Sequence, residues 1–146
     1  MSRETNFTVE SILQSSNANK QRLGQRFASY LGLNPGPKGA DDGIDGSIIK
    51  NDKIIHFQSK LRSVKLDRED ARSYFSDIAY HKADISIILS GVGFKETFRE
   101  RLFGHEGIEK IDIYLLELKD IFEKSEKFME ACEVLPKLQY LGGERS

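Results

Sequence analysis

A carboxylate, a carboxamide and an ammonium stand close together on two stretches that read as β-strands. Asp45 lies near the end of the run Gly-Ala-Asp-Asp-Gly-Ile-Asp-Gly at 39–46, and Gln58 and Lys60 end the run Ile-Ile-His-Phe-Gln-Ser-Lys at 54–60. A polar break, Lys-Asn-Asp-Lys at 50–53, separates them, so the order is strand, turn, strand. A two-residue loop at 51–52 and a four-residue loop at 50–53 give the same pairing: Ile49 with Ile54, Ser47 with His56, Asp45 with Gln58. Opposed residues share a sheet face, with Cβ atoms roughly 4.5–5.5 Å apart. The two-residue period puts Lys60 on the face of Gln58. Ile55, Phe57, Ser59 and Leu61 take the other face, which suits a core. Asp45, Gln58 and Lys60 are therefore expected together on one side, unless a bulge near Gly43 or Gly46 shifts the pairing by one residue.

Such a trio has a use. A carboxylate and an amide oxygen can share Mg2+, with water in the remaining positions. The cation polarises a phosphoryl oxygen and helps generate a hydroxide nucleophile. A neighbouring lysine holds that water or offsets charge on the phosphorane. An Asp/Gly-rich turn before an amphipathic strand, with Gln and Lys in solvent, fits the same spacing without any ion.

The runs at 39–46 and 57–60 (Phe-Gln-Ser-Lys) resemble the catalytic hairpin of the PD-(D/E)xK nuclease superfamily. The similarity is to its Mrr-like restriction endonuclease branch, where Gln-x-Lys replaces Glu-x-Lys. It continues through Lys-Ala-Asp-Ile-Ser-Ile-Ile-Leu-Ser-Gly-Val-Gly-Phe at 82–94 and Ile-Asp-Ile-Tyr-Leu-Leu-Glu-Leu-Lys-Asp-Ile-Phe at 111–122, and spans roughly residues 20–122. The resemblance implies a restriction-endonuclease-like three-layer α/β sandwich. It implies a metal-dependent endodeoxyribonuclease, restriction-like or structure-selective, using Mg2+ or Mn2+. Asp45, Gln58 and the Ser59 backbone carbonyl would be the metal ligands and Lys60 the catalytic lysine. The family's first helix often aims an acid at the metal. Here the candidates are the neutral Gln21 and Gln25, with Asp41 and Asp42 as further accessory groups. Two amides in place of two carboxylates weaken cation binding. The alternative is a non-catalytic nucleic-acid-binding or assembly module on the same fold. Cutting both strands with one site per chain favours a homodimer.

The surrounding elements follow from periodicity. With 146 residues, 38% of them hydrophobic, the chain suits one domain with a core at 17–135, a short packed segment at 1–16 and a frayed end at 142–146. Asn17 or Asn19 is expected to cap a helix running to about Leu31 and ended by Gly32. Pro35 and Pro37 exclude helix and central strand. Asp67 should cap a helix with the stripe Ala71, Phe75, Ile78 and Ala79. A buried strand follows at 85–90, a short helix at 94–102, a strand at 111–116 and one continuous helical pattern from 118 to 136. This order predicts a mixed sheet with helices on both faces and the hairpin to one side.

A net charge of −1 is not the footprint of a generic nucleic-acid binder. The charge is uneven, however. Residues 1–66 hold ten Lys/Arg against six Asp/Glu, and residues 67–146 hold twelve against seventeen. A DNA-facing surface is expected to draw on Lys20, Arg22, Arg26, Lys38, Lys60, Arg62 and Lys65, with Lys38, Arg62 and Lys65 as its nucleic-acid-binding cations. No apolar run reaches the roughly 20 residues of a membrane span. The N-terminal stretch has no signal-peptide pattern, and the single Cys132 cannot form an internal disulfide, which is compatible with the cytoplasm. Residues 41–52 approach an EF-hand loop, but Gly43 supplies no ligand at its third position and a strand pattern follows it. His56, His81 and His105 lack zinc-site spacing.

Overall fold

The computed structural model describes residues 2–36 and 43–139. Asn51 and Asp52 both adopt left-handed backbone, with φ of 52° and 63°. Two such residues make the tight loop whose twist matches a hairpin. They join β2 (Gly46–Lys50) to β3 (Lys53–Lys60) in the expected register, Ile49 opposite Ile54 and Ser47 opposite His56. A two-residue strand, β1 (Asn34–Pro35), pairs antiparallel with β2 at the sheet edge, where a proline disturbs no inner ladder.

Beyond β3 the sheet becomes parallel, through β4 (Ile85–Ser90) and β5 (Asp112–Glu117), in the order β1-β2-β3-β4-β5. Neighbouring parallel strands need a crossover that lies back across the sheet. Here α3 (Arg68–Tyr80) and α4 (Glu96–Phe103) serve, and their Tyr74, Ile78, Phe98 and Leu102 form one core with Ile88. The opposite face is packed by α1 (Arg3–Leu13), α2 (Asn17–Tyr30), α5 (Leu118–Glu123) and α6 (Glu126–Val134). There Phe27, Leu31, Leu118 and Phe128 meet Ile55, Phe57, Ile87 and Leu89. The chain is thus an α/β protein with a five-stranded mixed sheet flanked by helices. Every residue of β4 is buried, as a strand covered on both faces requires. No helix among the described residues is long and apolar enough to cross a membrane.

Three expectations need correction. The cap of α2 is Ser16, whose hydroxyl accepts the Asn19 N–H, with Asn17 already helical. On α3, capped by Asp67 as expected, the buried residues are Ala71, Tyr74 and Ile78, and Ala79 is exposed. The C-terminal helical pattern is broken. Lys124 turns left-handed at φ 49° and Ser125 starts α6 by accepting the Phe128 N–H at 3.3 Å. Each short helix can then turn its own apolar side to the sheet, and periodicity alone does not show the break.

Candidate active-site cleft

The hairpin delivers Asp45 by an irregular route. Gly46 is the residue paired with Phe57, yet the Asp45 N–H also points to the Phe57 carbonyl, at 2.8 Å. Two successive residues sharing one residue of the partner strand is the pattern of a β-bulge, which re-aims a side chain. The Asp45 carbonyl is held by the Gly36 N–H at 2.6 Å. The carboxylate then meets Ser59. Its Oδ2 accepts the Ser59 backbone N–H at 2.7 Å and the Ser59 hydroxyl at 3.2 Å.

This contact lies on the α2 side of the sheet. Gly24, at the middle of α2, lets the helix come close: a Cβ there would stand 2.7 Å from Ser59 Oγ and 3.2 Å from Asp45 Oδ1. A mid-helix glycine costs roughly 0.5–1 kcal/mol relative to alanine, and here close packing requires it.

Gln58 leaves the sheet on the other side. It is 6% exposed, and its Nε2 donates to Asp77 Oδ2 of α3 at 3.1 Å. This face is covered by α3, with His56 fully buried beside Gln58. The expectation that Asp45 and Gln58 share one face is overturned by the bulge. The Gln58 Oε1 atom is buried without a hydrogen-bond partner.

What converges on Asp45 is a different set. A cleft of about 230 Å3 at the end of β3 is lined by Asp45, Ser59 and Lys60, by Asn17, Lys20 and Gln21 of α2, and by Leu61 and Arg62. The Ser59 carbonyl shares the strand edge of its N–H, as a residue's two backbone groups do in a ladder, and so belongs with Asp45. Gln21 lines this cleft, whereas Gln25 is engaged elsewhere, donating to the Gly36 carbonyl at 3.2 Å. Arg62 is at the cleft but pairs with Asp70 of α3 at 2.6 Å, and the exposed Lys65 does not line it. Lys38, Asp41 and Asp42 lie outside the described residues.

The donors fit a hard cation of limited protein ligation. Among the described residues there is no group of three or more His, Cys, Asp or Glu side chains placed to hold a metal. Asp45 and the Ser59 carbonyl offer hard oxygens. Magnesium commonly binds through one or two carboxylates together with substrate phosphate and water. Lys20, Lys60 and Arg62, the last paired with Asp70, stand with Asp45 as the one carboxylate among the described lining residues, which suits the phosphate half of such an arrangement.

Two features escape sequence reading. One is Asp77, the acid that holds Gln58. Its only signal is its place one turn after Tyr74 on the flank of the sheet-facing stripe. The other is a buried polar chain on the α3 side. His56 Nε2 lies 2.7 Å from the Gly43 carbonyl and Nδ1 2.9 Å from Ser86 Oγ, which in turn contacts the Tyr74 hydroxyl. Burial lowers the His56 pKa to about 4, opposed by the bond to Gly43 and aided by nearby His81. Burial likewise raises that of Tyr74. A histidine within a hairpin and a serine within an apolar run carry no mark in sequence that they meet.

No protein-family model matches the chain, and no curated protein is significantly similar to it.

Proposed function

We propose that the chain is a metal-dependent endodeoxyribonuclease of the PD-(D/E)xK type, with Mg2+ as cofactor and Mn2+ as a substitute. The observation that carries this reading is one cleft joining Asp45, fastened by Ser59, to Lys60 on the next residue, with further cations from Lys20 and Arg62. When bound, the metal would lower the cost of forming hydroxide and polarise the scissile phosphoryl oxygen. Asp45 and the Ser59 carbonyl would hold it. The Ser59 donors keep the Asp45 carboxylate in one orientation, so no side-chain freedom is lost at the moment of reaction. The Lys60 ammonium donates to the attacking water or to the phosphorane oxygens. Lys20 and Arg62 hold flanking phosphates. Gln58, on the far side of the sheet, supports this arrangement from behind rather than ligating. A homodimer would cut both strands.

One observation favours the second reading, a non-catalytic nucleic-acid-binding module: the Gln58 carboxamide is engaged with Asp77 rather than with Asp45. Cleavage of supercoiled plasmid, linear DNA and four-way junctions in Mg2+ or Mn2+ separates the two. The enzyme reading expects cleavage by the wild type and loss of it in Asp45→Asn and in Lys60→Ala. DNA binding without cleavage, equal in all three proteins, supports the module instead.

A further inference from the structure

We infer that the buried chain Tyr74–Ser86–His56 is a brace that fixes the approach to Asp45 from the opposite face of the sheet, with His56 as its terminal positioning residue. The inference rests on Asp45 being the working carboxylate of the proposed nuclease.

Hydrogen-bond polarity makes the brace directional. The Gly43 carbonyl can only accept, so His56 Nε2 must carry the proton. In the neutral ring Nδ1 is then an acceptor, and the Ser86 hydroxyl donates to it. That uses the single proton of Ser86, so the Tyr74 hydroxyl donates to Ser86. Every group in the chain has one assigned role, and His56, Tyr74 and Ser86 are fully buried. Buried polar networks with all members satisfied specify one geometry, because each alternative leaves a group unpaired.

The brace ends two residues before Asp45. Gly43 has φ of 67°, and a Cβ there would overlap the Asp77 carboxylate, so glycine alone fits the position. Segment 43–45 is thus gripped at the Gly43 carbonyl by His56, at the Asp45 N–H by Phe57 and at the Asp45 carbonyl by Gly36. The latter two grips set the bulge. The first stops the chain before it from rotating, and a shift of that chain would pull the Asp45 carboxylate off Ser59. A displacement of about 1 Å at a reacting group can cost a hundredfold in rate.

The test uses two substitutions that divide the two bonds of His56. The terminal amide of Gln reaches the place of Nε2 and keeps a donor for Gly43. Asn reaches only the place of Nδ1 and abandons Gly43. Nitrogen NMR of the wild type should find His56 neutral with its proton on Nε2. His56→Asn should speed exchange of the Asp45 amide by about tenfold or more relative to His56→Gln, with β4 and β5 amides equally protected in both. Cleavage should follow the same division, kcat falling about tenfold in His56→Asn with KM within about twofold. Should His56→Asn not fold, Ser86→Ala takes its place. It frees the ring to change tautomer and should raise Asp45 exchange by about threefold. A proton on Nδ1 in the wild type, or equal Asp45 protection in the two His56 variants, overturns the brace. Absence of cleavage in the wild type would overturn the nuclease reading alone, because tautomer and exchange still decide the brace.

Discussion

Asp45 and Ser59 are joined twice, through the Ser59 N–H at 2.7 Å and its hydroxyl at 3.2 Å, while Gly24 of α2 presses on both. Both bonds end on the same Oδ2, and the shorter one, from the N–H, is the stronger. The contact ties a carboxylate on the loop-to-strand junction to the C-terminal end of the hairpin's second strand. It also sets how near α2 can approach, and so where Lys20 and Gln21 stand relative to Asp45.

Adding a methyl at Gly24 tests that closeness. Gly24→Ala gains helix propensity, roughly 0.8–1.0 kcal/mol, but drives a Cβ against Ser59 Oγ, and overpacking costs about 1–3 kcal/mol. The single variant should be destabilised. In a Ser59→Ala background the nearest clash is gone, and Gly24→Ala should be close to neutral. Urea unfolding of the four proteins in the cycle checks this; equal costs in both backgrounds would refute the packing account.

Gln58 and Asp77 predict a second non-additive pair. Asp77→Ala leaves the whole Gln58 carboxamide buried without a partner, at a cost of about 1–3 kcal/mol. Replacing Gln58 by Met in the same protein should recover most of that loss, since no polar group then remains unpaired. Thermal unfolding measures it. Gln58→Met alone should reduce cleavage far less than Asp45→Asn, because Gln58 and Asp45 leave the sheet on opposite sides.

His56 predicts acid sensitivity. Its folded pKa is lowered to about 4 from 6.5. Below pH 6.5 the unfolded chain therefore takes up a proton that the folded chain refuses. Stability is full above that value and falls as pH drops toward 4, by up to about 3 kcal/mol from this group. His81, the C-cap of α3, and the Tyr74 ring lie beside the same imidazole, and His81 disfavours its protonation further. His56→Gln should flatten this part of the stability profile, read as denaturation midpoints between pH 7 and pH 4. An unchanged slope would count against a buried neutral imidazole.

Lys124 predicts a gain. It holds left-handed backbone between α5 and α6 at φ 49°, a conformation costing a side-chain-bearing residue roughly 1–2 kcal/mol. Lys124→Gly should raise the denaturation midpoint, net of the glycine's greater freedom when unfolded. A lowered midpoint would show that the lysine side chain contributes more than its backbone costs.

Much of the architecture follows from local rules legible along the chain. Asn51 and Asp52 admit left-handed backbone, and the alternation on either side leaves one register. Asp67 marks a helix start, and the apolar run at 85–90 marks a strand covered on both faces. These are properties of a few adjacent residues, so sequence alone determined them. The face on which each polar group ends was decided only in three dimensions. A single extra residue at Asp45 reverses its side, and the crossover helix α3 closes over Gln58 and His56. Neither event alters composition or period. Each arises because a side chain's partner, whether Ser59, Asp77 or Ser86, is chosen by packing between elements distant in sequence, after the local rules have all been obeyed.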